Sequence, residues 1–89
     1  MAKRNKFEIL RDILEIVSSS REILHTPLMR KSNISSKRFK LYYSELLQKK
    51  LIREIISNRG KKKIVLTEHG QNYLEKYQII IHFIDEFEL

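Results

Sequence analysis

Two helix-forming segments flank Ser32-Asn33-Ile34, and the closeness of that junction limits the fold more than anything else in the chain. Upstream, Thr26-Pro27 marks a helix start: a threonine at the N-cap accepts a first-turn amide, and proline at the first helical position removes another. A short helix from Pro27 to Lys31 is expected, burying Leu28 and Met29. Downstream, Ser35 stands where it can cap a longer helix. From Ser36 to Lys50 the residues Phe39, Tyr42, Tyr43, Leu46 and Leu47 share one helical face. Two helices joined by a turn of about three residues, the second longer than the first, form a helix-turn-helix.

The flanking segments extend this unit. Phe7, Leu10, Ile13, Leu14 and Val17 recur at helical spacing with charged residues between them, which predicts a helix over Lys6–Val17. Ser18-Ser19-Ser20 is expected to close it, because serine competes for local backbone hydrogen bonds. Glu22-Ile23-Leu24 reads as a short strand. Leu51–Ile56 and Lys61–Leu66 are β-branched stretches around Ser57-Asn58-Arg59-Gly60, the pattern of a hairpin. Thr67 caps a final helix, with Glu68 in its first turn complementing the helix dipole, and this helix is expected to run through Phe87. Helix, strand, helix, turn, helix and basic hairpin is the order of a winged helix-turn-helix. The expected class is α+β, mainly α with a small β-hairpin. Residues 1–67 form the winged core and residues 68–89 an extended C-terminal helix, in a single domain.

With 89 residues there is room for one core. No cysteine is present, which excludes disulfides and thiolate metal sites. His25, His69 and His82 lie far apart, without a His-Glu-x-x-His pairing. Neither glycine belongs to a phosphate loop, and Ser18–Ser20 and Ser35–Ser36 lack a histidine partner or a nucleophile elbow. The expectation is a non-enzyme with no cofactor, no metal and no evident small-molecule ligand. The apolar run Ile79–Ile84 is six residues and includes His82, against roughly 20 needed to span a bilayer. Glu8, Arg11, Asp12 and Glu15 interrupt what would be a signal core after the basic N-terminus. A soluble, cytoplasmic and nucleoid-associated protein is expected, with no membrane partner.

Net charge is +7, unevenly distributed. Residues 1–67 carry 17 basic and 6 acidic side chains, whereas residues 68–89 carry Lys76 against Glu68, Glu75, Asp85, Glu86 and Glu88. A basic body with an acidic C-terminal helix fits a polyanion-binding module, although a basic surface also serves solubility alone. Opposite the apolar face of the second helix-turn-helix helix lie Lys37, Lys40, Leu41, Ser44 and Gln48, with Ser35, Ser36 and Arg38 at the N-terminal end where such helices meet base edges. Arg38 has the fork that pairs with guanine. Leu41 either meets a thymine methyl or signals a rotated helix. Arg59, Lys61, Lys62 and Lys63 sit at the hairpin tip, suited to phosphates or a minor groove. The same run also matches a localisation pattern or a solvated turn; its place after a helix-turn-helix selects the wing. Lys3, Arg4 and Lys6 form either an N-terminal arm or a frayed basic end.

In the last helix, Gly70, Leu74, Tyr77, Ile81, Ile84 and Glu88 alternate by four and three residues, the spacing of a coiled-coil seam. Ile79, Ile80, Phe83 and Phe87 fall off that seam, so past Gln78 the helix is apolar on nearly every side and must be covered. A homodimer is expected, with Leu74, Tyr77, Ile80, Ile81, Phe83, Ile84 and Phe87 at its interface. Packing within a monomer is the alternative.

Three stretches carry a family likeness: Thr26-Pro27-Leu28-Met29-Arg30-Lys31-Ser32-Asn33-Ile34-Ser35, Tyr42-Tyr43-Ser44-Glu45-Leu46-Leu47-Gln48-Lys49-Lys50-Leu51-Ile52, and Leu66-Thr67-Glu68-His69-Gly70. From Lys6 to Tyr77 the chain resembles the small winged-helix regulators and chromatin proteins of archaea and their viruses, the ArnR-like group. Their pattern includes Asn-Leu-Ser, Gly-Leu-Ile and Leu-Thr-x-x-Gly. Lys50 stands where that family has glycine at the end of the recognition helix, which puts a different helix ending in prospect. The final helix is also shorter than the antiparallel coiled coil of the chromatin members. The resemblance implies double-stranded DNA binding and dimerisation. The reading reached is a sequence-specific DNA-binding transcription regulator acting as a homodimer. A non-specific architectural DNA-binding protein is the alternative, or, in another class, a winged-helix adaptor for an acidic protein partner. RNA is disfavoured because no exposed aromatic platform is evident.

Overall fold

The computed structural model describes residues 4–89. Lys3, one of the candidate arm residues, lies outside them. The elements are α1 (Lys6–Ser20), β1 (Glu22–Leu24), α2 (His25–Ser32), α3 (Ser36–Gln48), β2 (Ile52–Ile56), β3 (Lys62–Leu66) and α4 (Glu68–Glu86). The three strands form one antiparallel sheet in the order β1-β3-β2. Glu22 pairs with Val65 and Leu24 with Lys63; Ile52 pairs with Leu66 and Ile56 with Lys62. The expected mainly α, winged α+β architecture is the one found.

Asn5 starts α1, its Oδ1 accepting from the Glu8 amide at 2.8 Å. The helix buries Ile9, Leu10, Ile13, Leu14 and Val17. Phe7 was expected inside and is 63% exposed. At 100° per residue Phe7 and Ile9 flank the buried stripe on opposite sides, and only tertiary packing chooses between them. Ser18–Ser20 do not end the helix but form its last turn. The stop comes at Arg21, whose φ of 63° is left-handed and whose amide bonds the Ser18 carbonyl.

The start of α2 also departs from expectation. Leu24 occupies the N-cap without a side-chain bond, so Thr26 does not cap, and Pro27 sits third in the helix. Proline is tolerated there because first-turn amides have no intrahelical acceptor. Leu28 is fully buried while Met29 is only partly so. Ser32 ends α2 rather than belonging to the turn, its Oγ donating to the Leu28 carbonyl at 2.7 Å. Asn33 then turns the chain with φ 55°. Ser35 caps α3 as expected, accepting from the Arg38 amide at 3.2 Å.

The recognition-type helix α3 stops at Gln48, two residues before the expected end. Lys50 takes φ 59°, its amide bonds the Leu47 carbonyl, and the Leu51 amide reaches the Leu46 carbonyl at 3.0 Å. These two bonds define a Schellman ending, with buried Leu46 and Leu51 as its apolar pair. The chain therefore ends this helix as glycine would, with lysine in the left-handed position. Next, Asn58-Arg59-Gly60 forms a three-residue hairpin loop in which Gly60 supplies φ 74°. Ser57 and Lys61 close it with a 2.8 Å backbone bond.

Thr67 joins the wing to α4. Its Oγ accepts from the Gly70 amide and donates to the Lys50 carbonyl at 2.6 Å. Gly70 allows this approach, since a Cβ there would lie 2.1 Å from the Leu51 carbonyl oxygen. One core gathers from α1, α2, α3 and the sheet: Ile13, Leu14, Val17, Leu28, Phe39, Leu46 and Ile64 are fully buried in it. His25 sets its ring edge-on against Phe39 and Tyr43, at 5.3 and 5.0 Å.

Candidate nucleic-acid interface

The core dictates which side of α3 remains outside. With Phe39, Tyr43 and Leu46 buried, Lys37, Lys40, Leu41, Ser44 and Gln48 fall on one arc and are exposed. Leu41 is 67% exposed, so the helix is not rotated from the reading of its periodicity. At the N-terminal end Ser36 and Arg38 are exposed, while the Ser35 hydroxyl is engaged as the cap. The Arg38 guanidinium lies 5.8 Å from the Tyr42 ring centre, which orients it along the helix rather than leaving it free.

Strand register separates the wing cations. Ile52, Glu54, Ile56, Lys62, Ile64 and Leu66 lie on the face turned toward the core and α3, and Arg53, Ile55, Lys63 and Val65 on the other. Arg59 and Lys61 are exposed at the loop. Lys62 reaches Glu54 at 3.6 Å, and Glu54 in turn accepts from the Tyr43 hydroxyl of α3 at 2.5 Å. Burial, reinforced by the Glu54 carboxylate, holds the Tyr43 phenol above its ordinary pKa. Lys63 points the other way and pairs with Glu22 of β1 at 2.7 Å. The structure thus brings Lys62 to the side of α3 and leaves Lys63 away from it.

Arg4 is not a free arm. Its guanidinium pairs with Asp12 at 2.8 Å and donates to the carbonyls of Ser32 and Asn33, at 3.1 and 3.0 Å. A cation at those carbonyls complements the C-terminal end of α2 and ties the helix-turn-helix junction to α1. Lys6 pairs with Glu45 of α3 at 3.0 Å, as does Lys49. These two ammonium groups, Lys49 first, hold the Glu45 carboxyl below its ordinary value. Neither Arg4 nor Glu54 was legible as a positioning residue, because their partners lie 28 and 11 residues away in sequence.

The last helix divides into two parts. Gly70, Tyr73 and Leu74 pack on the body. The Tyr73 hydroxyl donates to the Phe7 carbonyl at 3.2 Å, and burial raises the Tyr73 pKa. Leu74, expected in an interface between subunits, packs on the chain's own core. Beyond it, Ile79, Ile80, Phe83 and Phe87 are exposed, and Tyr77, Ile81 and Ile84 are half-buried. Between this end of α4 and the start of α1 runs a groove of about 570 Å³, lined by Phe7, Tyr73, Tyr77, Ile80, Ile81 and Ile84 among others. Sequence periodicity did not place Phe7 there. Among the described residues no cluster of side chains suits a metal ion, and no helix is long and apolar enough to cross a membrane.

The family model described as winged helix-turn-helix matches residues 3–85, so the chain belongs to the winged helix-turn-helix family. Comparison with curated proteins gives no significant sequence match. Among solved structures the chain is similar to Sso10a-2, a DNA-binding protein from Sulfolobus solfataricus, with a TM-score of 0.76 and 19% identity, over 96% of this chain and 86% of that one. It is similar to F-93 of SSV1 at a TM-score of 0.67 and 22% identity, over 89% and 91% of the two chains. A MarR family transcriptional regulator from Silicibacter pomeroyi gives 0.66 and 15% identity, over 76% of this chain and 47% of that one. At these identities the likeness is one of fold.

Proposed function

We propose that this winged helix-turn-helix protein is a transcription regulator that binds specific sites on double-stranded DNA as a homodimer, with α3 in the major groove and the wing on the adjacent backbone or minor groove. One observation carries the reading: α3 leaves Lys37, Lys40, Leu41, Ser44 and Gln48 exposed along one arc, while its Tyr43 reaches Glu54 of the hairpin, which Lys62 also contacts. In this arrangement Ser35, Ser36 and Arg38 approach base edges first, Lys37 and Lys40 take phosphates or guanines, and Ser44 donates from the middle of the helix. Leu41 offers an apolar surface to a thymine methyl. Arg59 and Lys61 hold the flanking backbone, with Lys62 behind them. Lys63 reaches a phosphate only by leaving Glu22. That Sso10a-2 is described as DNA-binding and the MarR family protein as a transcriptional regulator supports the same reading.

Dimerisation is proposed to proceed through the free end of α4. Tyr77, Ile80, Ile81, Phe83, Ile84 and Phe87 form an apolar arc that one chain leaves exposed or half-buried. A second copy of α4, antiparallel to the first, would lay this arc into the groove beside Phe7. That orientation also sets Glu86 of one helix toward Lys76 of the other. Residues 1–67 are then the DNA-binding unit and residues 68–89 the dimerisation element.

Selection of bound sites from random duplexes tests the proposal. Paired half-sites about one helical turn apart are expected. With about six to ten phosphates contacted, affinity should fall roughly 10³–10⁵-fold between about 50 and 200 mM salt. Even coating without an enriched site would instead indicate the architectural role. Absence of any complex at low salt would leave the adaptor reading.

A further inference from the structure

We infer that Glu54 is a latch that pairs with Lys62 and withholds it from the duplex until a DNA phosphate takes its place. The inference deepens the proposed DNA-binding role and rests on it. Glu54 stands on β2 with its carboxylate turned toward α3, about a quarter exposed. One oxygen, Oε2, receives both the Tyr43 hydroxyl at 2.5 Å and the Lys62 ammonium at 3.6 Å. Among the described residues, Tyr43–Glu54 is the side-chain hydrogen bond that joins α3 to the hairpin. The hairpin is also held by β1, which pairs with β3, by Ile52 and Ile64 in the core, and at its base through Leu51 and Thr67.

The two contacts differ in strength. The Tyr43 bond is part-buried and its donor belongs to a residue packed in the core, whereas the Lys62 pair is long, half-exposed and screened. A phosphate can therefore replace Glu54 as the partner of Lys62 while the Tyr43 bond persists. Without DNA, the carboxylate neutralises one of the cations on the α3 side of the wing, which lowers attraction to any duplex. Only a backbone placed correctly against α3 regains that charge. The latch thus weakens indiscriminate binding more than binding at a docked site.

Glu54→Gln separates the two contacts, since its amide oxygen still accepts from Tyr43 while its charge is gone. At about 0.1 M salt one further phosphate contact is worth roughly five- to tenfold in affinity, and it steepens the salt slope by about 0.9. Glu54→Gln is expected to show both changes on arbitrary duplexes. Lys62→Met should cost less than about twofold in the native chain and about five- to tenfold in the Glu54→Gln background. Glu22→Gln adds the same charge on the opposite face of the sheet and should change affinity by less than about twofold. Equal costs of Lys62→Met in both backgrounds, or equal gains from Glu22→Gln and Glu54→Gln, would overturn the inference. A second readout needs no DNA: burial keeps the Tyr43 phenol raised in Glu54→Gln, but loss of the carboxylate charge should move its ultraviolet titration, read against a Tyr43→Phe blank, part of the way down. If the native chain binds no duplex at all, the proposed function fails; equal costs of Lys62→Met in both backgrounds on a duplex that is bound are failure of the latch itself.

Discussion

The winged core and the distal half of α4 are built from the same kinds of side chain and meet opposite fates. In the core Ile13, Leu14, Val17, Leu28, Phe39, Leu46 and Ile64 show no exposure at all. In α4, Ile79 is 67% exposed, Ile80 57%, Phe83 54% and Phe87 57%. The difference is one of geometry. Helices α1–α3 and the sheet converge on a common centre, whereas α4, about 28 Å long at 1.5 Å per residue, follows the body only as far as Tyr77. The molecule measures 50 × 28 × 21 Å, longer than a sphere of its size would be. Apolar periodicity states that a surface wants covering, and the fold decides whether the chain covers it or another chain must.

If the core is self-sufficient, truncating it must be the costliest change. Phe39→Ala, at the centre of the core and against His25 and Tyr43, is expected to lose about 3–5 kcal/mol in denaturant unfolding. A loss under about 1 kcal/mol would show the core to be poorly packed. Next in size, Gly70→Ala drives a methyl against the Leu51 carbonyl and should cost about 1–3 kcal/mol by separating α4 from the body. The left-handed Lys50 predicts the opposite sign: Lys50→Gly should stabilise by about 1 kcal/mol, because only glycine adopts that conformation without steric cost. Tyr43 gives a pH limb. Its raised pKa means the folded state keeps a proton that the unfolded state releases, so stability present below about pH 10 falls as pH rises further. Tyr43→Phe should flatten that fall in alkaline urea melts. Smallest on the subunit is Ile80→Asp with Phe83→Asp. Unfolding of the separated subunit should shift by less than about 0.5 kcal/mol, while the concentration dependence of melting disappears.

Much of this was legible before the fold was known. The Ser35 cap, the Asn58-Arg59-Gly60 loop and the Thr67 cap are local chemistry, and each appears where the residues put it. The arc of Lys37, Lys40, Leu41, Ser44 and Gln48 followed from periodicity alone, as did the exposed end of α4. The failures are of two kinds. Helix ends depended on backbone turns that side-chain patterns do not encode, as at Arg21, Leu24 and Lys50. Partner choice depended on pairs distant in sequence. Arg4 left the solvent for the carbonyls of Ser32 and Asn33, Lys63 turned toward Glu22, and Phe7, expected inside, lies exposed at the rim. Composition reveals a cation; only coordinates reveal which carboxylate already holds it.

The stoichiometry on DNA tests the account most directly. Native mass spectrometry of the chain with a selected duplex of about 20 base pairs, long enough for two half-sites one turn apart, should give two chains per duplex. The complex should dissociate as salt rises, and one chain or none should remain when Ile80 and Phe83 are both aspartate. A single native chain per duplex, held as tightly as before by the double variant, would contradict it.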